Sequence, residues 1–232
     1  MGMRDSGYRA DSHFEVSYMQ QWLELTTVLL FLTNLMILGL SELGACIRMV
    51  AVQGMLLGIF TLIAREDALS ARLIVLGIVS MGLKGFVFPI LLSRDIREAK
   101  VRREVEPFVG YAASIVVGLL MLAASMWIAA RFPMLPSLSS PFVIPVALSM
   151  AFTGLFLVIS RRKALTQVIG YLAFENGIYM FGITVAGEIP FLVELGVLLD
   201  VFVAVFVMGI AINHINREFD HIDADQLSSL KG

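Results

Sequence analysis

Seven apolar stretches follow one another along the chain, and short polar segments separate them. Each stretch is close to the roughly 20 residues that a helix needs to cross a ~30 Å hydrocarbon core. They lie at residues 22–41, 44–64, 72–93, 107–130, 141–160, 166–187 and 191–213. This pattern predicts an all-α, polytopic integral membrane protein with about seven transmembrane helices.

Basic residues are divided unevenly between the two ends of these predicted helices. Lys and Arg are enriched in the short cytoplasmic loops of membrane proteins. Ten lie on the side of the C-terminus: Arg94, Arg97, Lys100, Arg102, Arg103, Arg161, Arg162, Lys163, Arg217 and Lys231. Five lie on the other side: Arg4, Arg9, Arg65, Arg72 and Arg131. With an odd number of helices, this bias predicts an outside N-terminus and a cytoplasmic C-terminus.

The same pattern divides the chain into four regions. We expect a polar N-terminal tail at 1–21, a four-helix membrane part at 22–130, a three-helix membrane part at 141–213 and a cytoplasmic tail at 214–232.

Composition agrees with a membrane protein and excludes several other classes. The chain is 58% hydrophobic and only 16% charged, whereas soluble domains have about 45–50% and about 25%. A net charge of -2 is too balanced to suggest a nucleic-acid partner. The single cysteine, Cys46, excludes an internal disulfide and a cysteine-bound iron–sulfur cluster. The histidines, His13, His214 and His221, are not placed to hold a haem between helices, and no Walker, GxSxG or HExxH motif occurs. We therefore expect no redox centre, no metal and no catalytic residue in this chain.

Three ionisable side chains lie near the middle of predicted helices. Lys84 lies in the third helix, Glu175 in the sixth and Asp200 in the seventh, and Gln53 adds a polar group near that depth in the second. An ionisable side chain at the bilayer centre costs about 2.5 to 3.5 kcal/mol, and such groups usually mark functional sites. These side chains must therefore form ion pairs, lose their charge or line a water-filled path. Alternatively, Lys84 is a static counter-ion that fixes helix packing.

Polar side chains also form a stripe on the sixth predicted helix. Tyr171, Glu175 and Tyr179 follow at i, i+4 and i+8, with Asn176 beside them, so they share one helix face. A carboxyl between two hydroxyls can form part of a hydrogen-bonded proton relay.

Weaker candidates flank these residues. Glu194 precedes Asp200 by six positions and lies nearer the outer interface. Arg48 lies little more than one turn inside the second helix, where its side chain can extend to the cytoplasmic interface. The GxxxG pair Gly54 and Gly58 is a weak indication of close helix packing.

Several of these runs resemble a known family over nearly the whole chain. The run QVIGYLAFENG around Glu175, the run LVELGVLLDVFVAVFVM around Glu194 and Asp200, and the C-terminal LSSLKG resemble component E of the hydrogenase-4 type complexes. These complexes are membrane-bound group 4 nickel–iron hydrogenases related to respiratory complex I.

The N-terminal half also fits that family, at Arg48, at Gln53 and at Lys84 followed by Pro89. The last three helices further resemble subunit K of complex I and the C subunit of multisubunit cation/proton antiporters. In those relatives two acidic residues form part of a hydrophilic axis. Glu175 matches the first of them by position, and Asp200 matches the second more loosely, because the residue type differs.

The resemblance implies a non-catalytic membrane-arm subunit of an oxidoreductase complex of hydrogenase or formate hydrogenlyase type. It implies that nickel–iron and iron–sulfur centres belong to partner subunits in a peripheral hydrogenase-like arm. Antiporter-like and connecting membrane subunits would be the partners within the bilayer. The implied location is the cytoplasmic (inner) membrane of a bacterium or archaeon.

These observations lead to a mechanistic hypothesis. Glu175 and Asp200 bind and release a proton, or a sodium ion, through water and the Tyr171 and Tyr179 hydroxyls. The positive charge of Lys84 influences whether the two carboxyls are ionised. Two alternatives remain at this stage: a secondary transporter that works alone, and a structural scaffold in which the buried charges only specify assembly.

Overall fold

The computed structural model describes residues 5–63, 78, 81–98, 109–131, 140–161 and 164–185, and within these ranges every regular element is helical. Helix α1 spans Asp5–Gly39 and α2 spans Leu43–Ile63. A π-helical turn at Leu83–Val87 leads directly into α3, Phe88–Glu98. Helices α4, α5 and α6 span Tyr111–Ala129, Val143–Ser160 and Ala164–Val185.

Among the described residues, five helical segments are long and apolar enough to cross a membrane. They are Tyr18–Gly39, Leu43–Ile63, Tyr111–Ala129, Val143–Ser160 and Leu165–Val185. They match the predicted first, second, fourth, fifth and sixth stretches, which confirms an all-helical protein with several candidate spans. Of the predicted third helix the structure describes mainly the part from residue 81, and the predicted seventh helix at 191–213 lies outside the described residues.

Two helices extend beyond the apolar stretches from which they were predicted. Helix α1 begins at Asp5, within the segment predicted as a polar tail, so the helix continues on the N-terminal side of its apolar part. Helix α3 ends at Glu98, five residues beyond the predicted boundary at 93. Backbone hydrogen bonding continues through polar residues, whereas a hydropathy pattern locates only the apolar part of a helix.

Helices α5 and α6 pack closely because glycines line their contact. A Cβ at Gly154 would collide with the backbone nitrogen of Phe174, and a Cβ at Gly177 would collide with that of Ala151. The partner number falls as the residue number on α5 rises, so the two helices are antiparallel. Small residues of this kind let helix backbones approach each other inside membranes.

Replacing Gly154 with alanine should therefore destabilise the protein. We expect a loss of about 1–3 kcal/mol, typical of an overpacked core, because the colliding Phe174 atoms belong to the backbone. The measurement is the melting temperature of the purified protein in mild detergent.

Gly44→Ala is the matched control, since a Cβ there meets nothing within 4 Å. Alanine also favours a helix by up to about 1 kcal/mol over glycine. An equal melting temperature for Gly154→Ala and Gly44→Ala would contradict the packing described for α5 and α6.

The GxxxG pair of α2 packs against the segment that carries Lys84. A Cβ at Gly54 would lie 2.6 Å from the Lys84 Cβ, and a Cβ at Gly58 would lie 3.0 Å from the Met81 Cβ. The two glycines thus let α2 approach the π-helical turn, in agreement with the close packing that their spacing predicts.

Candidate functional site: a buried ion pair and its polar neighbours

The π-helical turn gives Lys84 its place in the bundle. The Phe88 N–H bonds to the Leu83 carbonyl, five residues back rather than four. Pro89 has no N–H to offer the Gly85 carbonyl, so the regular α-helical ladder is interrupted at the same place. Single π-helical turns are rare and occur frequently at functional sites.

Lys84 and Glu175 form an ion pair inside the protein. Lys84 Nζ lies 2.7 Å from Glu175 Oε1, and the two side chains are only 2% and 1% exposed. Removing two charges from water is costly, and their attraction offsets this cost only when the geometry is good. The structure therefore shows Glu175 as a direct partner of Lys84, whereas Asp200, the other candidate from the sequence, lies outside the described residues.

Tyr179 contacts this pair through its ring. Lys84 Nζ lies 4.9 Å from the centroid of the Tyr179 ring, within the range of a cation–π interaction. The Tyr179 hydroxyl lies 3.5 Å from the Thr61 hydroxyl, which donates to the Leu57 carbonyl at 2.8 Å. Tyr179 therefore holds the ammonium group with its aromatic face, and the hydroxyl relay expected from the sequence stays a prediction.

Tyr179→Phe should keep this interaction and Tyr179→Leu should lose it. A cation–π contact stabilises by about 0.5–2 kcal/mol, more when the cation is desolvated. We expect the leucine variant to lose that free energy of stabilisation and so to melt at a lower temperature in detergent. The phenylalanine variant should melt close to the parent protein. Equal loss in both variants would show that the hydroxyl, and not the ring, carries the contribution.

Two buried amides lie beside the ion pair. Asn176, the neighbour of Glu175 in α6, donates from Nδ2 to Gln53 Oε1 of α2 at 3.4 Å, and both side chains are buried. Within the described residues, Gln53 Nε2 and Glu175 Oε2 have no hydrogen-bond partner. Buried polar atoms of this kind are typical binding sites for ordered water.

The structure describes two further predicted residues, Tyr171 and Arg48. Tyr171 is half-buried, and its ring centroid lies 6.4 Å from that of Phe174. Arg48 is exposed, as expected for a side chain that reaches the interface. Asp200 and Glu194 lie outside the described residues, so their part in the site stays a prediction.

A second polar contact, between α1 and α5, was not predicted from the sequence. Asn34 Nδ2 donates to Thr153 Oγ1 at 3.0 Å, and both side chains are buried. A lone Asn and a lone Thr in apolar helices are common, so neither stood out. The position of Asn34 within the last turns of an apolar stretch could have indicated such a contact, because a buried amide needs a hydrogen-bond partner.

Arg161 lies directly after α5, in the loop predicted before the sixth helix, and its side chain is buried at 2% exposure. Its Nη2 donates to the Leu38 carbonyl at 3.3 Å, and its guanidinium carbon lies 5.1 Å from the centroid of the Tyr111 ring. Gln167 Nε2 in turn donates to the Arg161 carbonyl at 3.1 Å. A cation is favourable at the carbonyl end of α1, so Arg161 joins the ends of α1 and α5.

Comparison with known proteins places the chain in a family. It is 30% identical over 203 residues to the uncharacterized protein Rv0085 of Mycobacterium tuberculosis strain H37Rv, and the match covers 87% of this chain and 92% of that protein. The chain therefore belongs to the same family as Rv0085.

A second relationship covers a smaller part of the chain. It is 37% identical over 87 residues to Hydrogenase-4 component E of Escherichia coli K12 and of Shigella flexneri. The match covers 38% of this chain, and the chain spans about 40% of the length of those relatives. No model of a protein family and no solved structure matches the chain. This protein is thus a helical relative of hydrogenase-4 component E with several candidate membrane spans.

Proposed function

We propose that this chain is a membrane subunit of a complex-I-like, group 4 hydrogenase-type assembly. In this proposal it contributes a proton path that is coupled to electron transfer in other subunits. The Lys84–Glu175 pair, with a 2.7 Å separation at almost complete burial, is the observation that carries the path. The similarity to hydrogenase-4 component E supports the class of assembly.

The pair can change its charge without a large movement. When Glu175 takes up a proton, its carboxyl becomes neutral and the Lys84 ammonium group stays over the Tyr179 ring. When Glu175 releases the proton, the ion pair forms again. The carboxyl oxygen Oε2, which has no hydrogen-bond partner in the part of the chain that the structure describes, is the position at which we place the proton.

The chemistry of the pair favours a proton over a sodium ion. The Lys84 ammonium lies 2.7 Å from Glu175 Oε1, so a sodium ion on either oxygen of this carboxyl would lie close to a second positive charge. Two like charges at that distance repel strongly in an interior of low dielectric constant. A proton avoids this repulsion, because it neutralises the carboxyl by forming an O–H bond.

The proposal includes features that come from the resemblance and the charge pattern. These are seven membrane helices with an outside N-terminus and a cytoplasmic C-terminus, in the cytoplasmic membrane of a bacterium or archaeon. Asp200 and Glu194 on the seventh helix would continue the path. Nickel–iron and iron–sulfur centres would belong to partner subunits, and antiporter-like and connecting subunits would surround this chain in the bilayer.

Purification of the tagged, full-length chain from its native membrane in mild detergent tests membership of such a complex. We expect mass spectrometry to find large antiporter-like membrane subunits together with nickel–iron or iron–sulfur subunits. An unrelated tagged membrane protein from the same membrane serves as the control. Recovery of the chain alone in a monodisperse form would contradict the proposal and favour a transporter that works alone.

A further inference from the structure

Three polar residues at the centre of the bundle lie between two separate apolar clusters. We name Gln53, Lys84 and Glu175 the polar layer. The first cluster contains Leu43, Ile47 and Val50 of α2 together with Val168, Ile169 and Leu172 of α6. The second contains Leu57 and Phe60 of α2 together with Tyr179, Met180 and Ile183 of α6. On both helices the polar-layer residue falls between the two sets, so buried apolar side chains lie on either side of the polar layer.

The first cluster lies toward one particular end of the bundle. This end, which we name the Arg161 face, is formed by the end of α1 and the starts of α2 and α6, and Arg161 contacts the Leu38 carbonyl there. Because α2 and α6 both begin at this face, lower residue numbers on these two helices lie nearer to it. The first cluster therefore lies between the Arg161 face and the polar layer.

Three residues of the first cluster lie immediately next to the polar layer. They are Val50 of α2, Phe88 of α3 and Leu172 of α6, with exposed fractions of 4%, 1% and 2%. Each is three or four positions from the polar-layer residue of its own helical segment, which is about one helical turn, or roughly 5 Å. We name these three residues the apolar layer.

The contacts of α2 place two of these residues opposite each other. Gly54 approaches Lys84, and the next glycine of the GxxxG pair approaches Met81, so the Lys84 segment is antiparallel to α2. Continued by one turn, the same register brings Val50 opposite Phe88. Both residues therefore lie one turn nearer to the Arg161 face than Lys84.

The third residue joins them from α6. The hydrogen bond from Asn176 to Gln53 fixes the register of α6 against α2, and three positions earlier on each helix this register brings Leu172 beside Val50. Both belong to the same cluster of buried side chains as Phe88. The apolar layer is therefore continuous across α2, α3 and α6.

The contact between α5 and α6 offers no way around the apolar layer. A Cβ at Gly170 would lie 2.8 Å from the Leu157 Cβ and from the Val158 nitrogen, and a Cβ at Gly154 would collide with the backbone of Phe174. A buried water needs a space of about its own size and polar partners. Backbones in direct contact leave no such space between these two helices.

We propose that Val50, Phe88 and Leu172 form a hydrophobic gate, closed in this structure, between the Lys84–Glu175 pair and the Arg161 face. Apolar constrictions stop ions and water because water leaves them. The proposal rests on the proposed function for its role. A proton path that stood open at both ends would let protons flow back, so coupling requires a barrier on one side of Glu175.

The reaction of a thiol in the polar layer with Ag⁺ tests whether this gate is closed. Gln53→Cys is placed in full-length protein that carries Cys46→Ala, and Ag⁺ is applied to membrane vesicles at the Arg161 face. Thiols that escape Ag⁺ are alkylated with a maleimide after denaturation and counted. Glu42→Cys, exposed between α1 and α2, is the accessible reference, and its reaction with an impermeant reagent shows which vesicles present that face.

We expect Gln53→Cys to react at least a hundredfold more slowly than Glu42→Cys. Adding Leu172→Ser should accelerate the reaction of Gln53→Cys at least tenfold, because a cavity with a polar wall takes up water. Val50→Ser removes a smaller side chain and should act in the same direction. The comparison of Gln53→Cys with Glu42→Cys needs no change in the gate, so it decides the matter where a serine variant does not fold.

Leu30→Ser is the matched control, because Leu30 is fully buried in α1 and belongs to the second cluster. It should leave the reaction rate of Gln53→Cys unchanged. Equal rates for Gln53→Cys and Glu42→Cys, no acceleration by folded Leu172→Ser, or the same acceleration by Leu30→Ser would overturn the proposal.

This experiment separates the gate from the proposed function. The reaction with Ag⁺ does not require electron transfer or a partner subunit. If Leu172→Ser opens the polar layer to Ag⁺ while a Glu175→Gln complex still translocates protons, the proposed function fails and the gate stands. If Gln53→Cys reacts as fast as Glu42→Cys while Glu175→Gln stops translocation, the gate fails and the proposed function stands.

Discussion

Lys84→Met should destabilise the protein by about 3–5 kcal/mol, the usual cost of breaking a buried ion pair by removing one partner. The substitution leaves the Glu175 carboxylate buried at 1% exposure without its counter-ion. Glu175→Met should destabilise for the converse reason. The measurement is the melting temperature of each variant, purified in the same mild detergent.

The double variant Lys84→Met/Glu175→Met should recover most of that loss, because replacing a whole buried ion pair with apolar side chains is often neutral or stabilising. Arg48→Met is the control for loss of a cation, since Arg48 is exposed and surface substitutions usually change stability by at most about 0.5 kcal/mol. A Lys84→Met protein as stable as Arg48→Met would contradict the buried pair.

Glu175→Gln should reduce proton translocation by the intact complex at least tenfold. The amide nearly preserves the shape of the side chain, but it cannot take up and release a proton near neutral pH. The measurement is the number of protons moved per electron transferred in vesicles that contain the purified complex. The number should not change when sodium is replaced by potassium, because Lys84 occupies the position of a bound cation.

Glu42→Gln is the matched control for this substitution, since Glu42 is exposed and lies outside the helices. It should leave translocation unchanged. Normal translocation by an assembled Glu175→Gln complex would contradict the role of Glu175. Loss of translocation in Glu42→Gln as well would show that the assay responds to any change of charge.

Hydropathy and charge were sufficient to predict the five candidate spans among the described residues. They also indicated that Lys84 and Glu175 lie near the middle of their helices. Lys84 and Glu175 are costly in an apolar interior, so their positions near the middle of two helices predict that they meet a partner or water. The sequence could not show that Glu175 meets Lys84, because hydropathy does not define how the helices are rotated about their axes. That contact depends on the close approach of α2 at Gly54 to the π-helical turn that carries Lys84.

The detailed roles of side chains were harder to predict. The i, i+4, i+8 spacing correctly placed Tyr179 on the face of Glu175, but it could not show that the ring, rather than the hydroxyl, meets Lys84. The burial of Arg161 was not predicted, because a charged residue next to a helix end is usually solvated. Its burial depends on the Leu38 carbonyl and the Tyr111 ring, which are distant in sequence.

The most direct test of the central claim is proton translocation by an intact complex that carries Lys84→Met together with Glu175→Met. This variant removes the charged pair while it should keep the fold and the assembly, which co-purification of the partner subunits verifies. The account predicts an assembled complex that transfers electrons but moves at least tenfold fewer protons per electron. Translocation at the level of the parent complex would contradict it and would make the buried pair a purely structural feature.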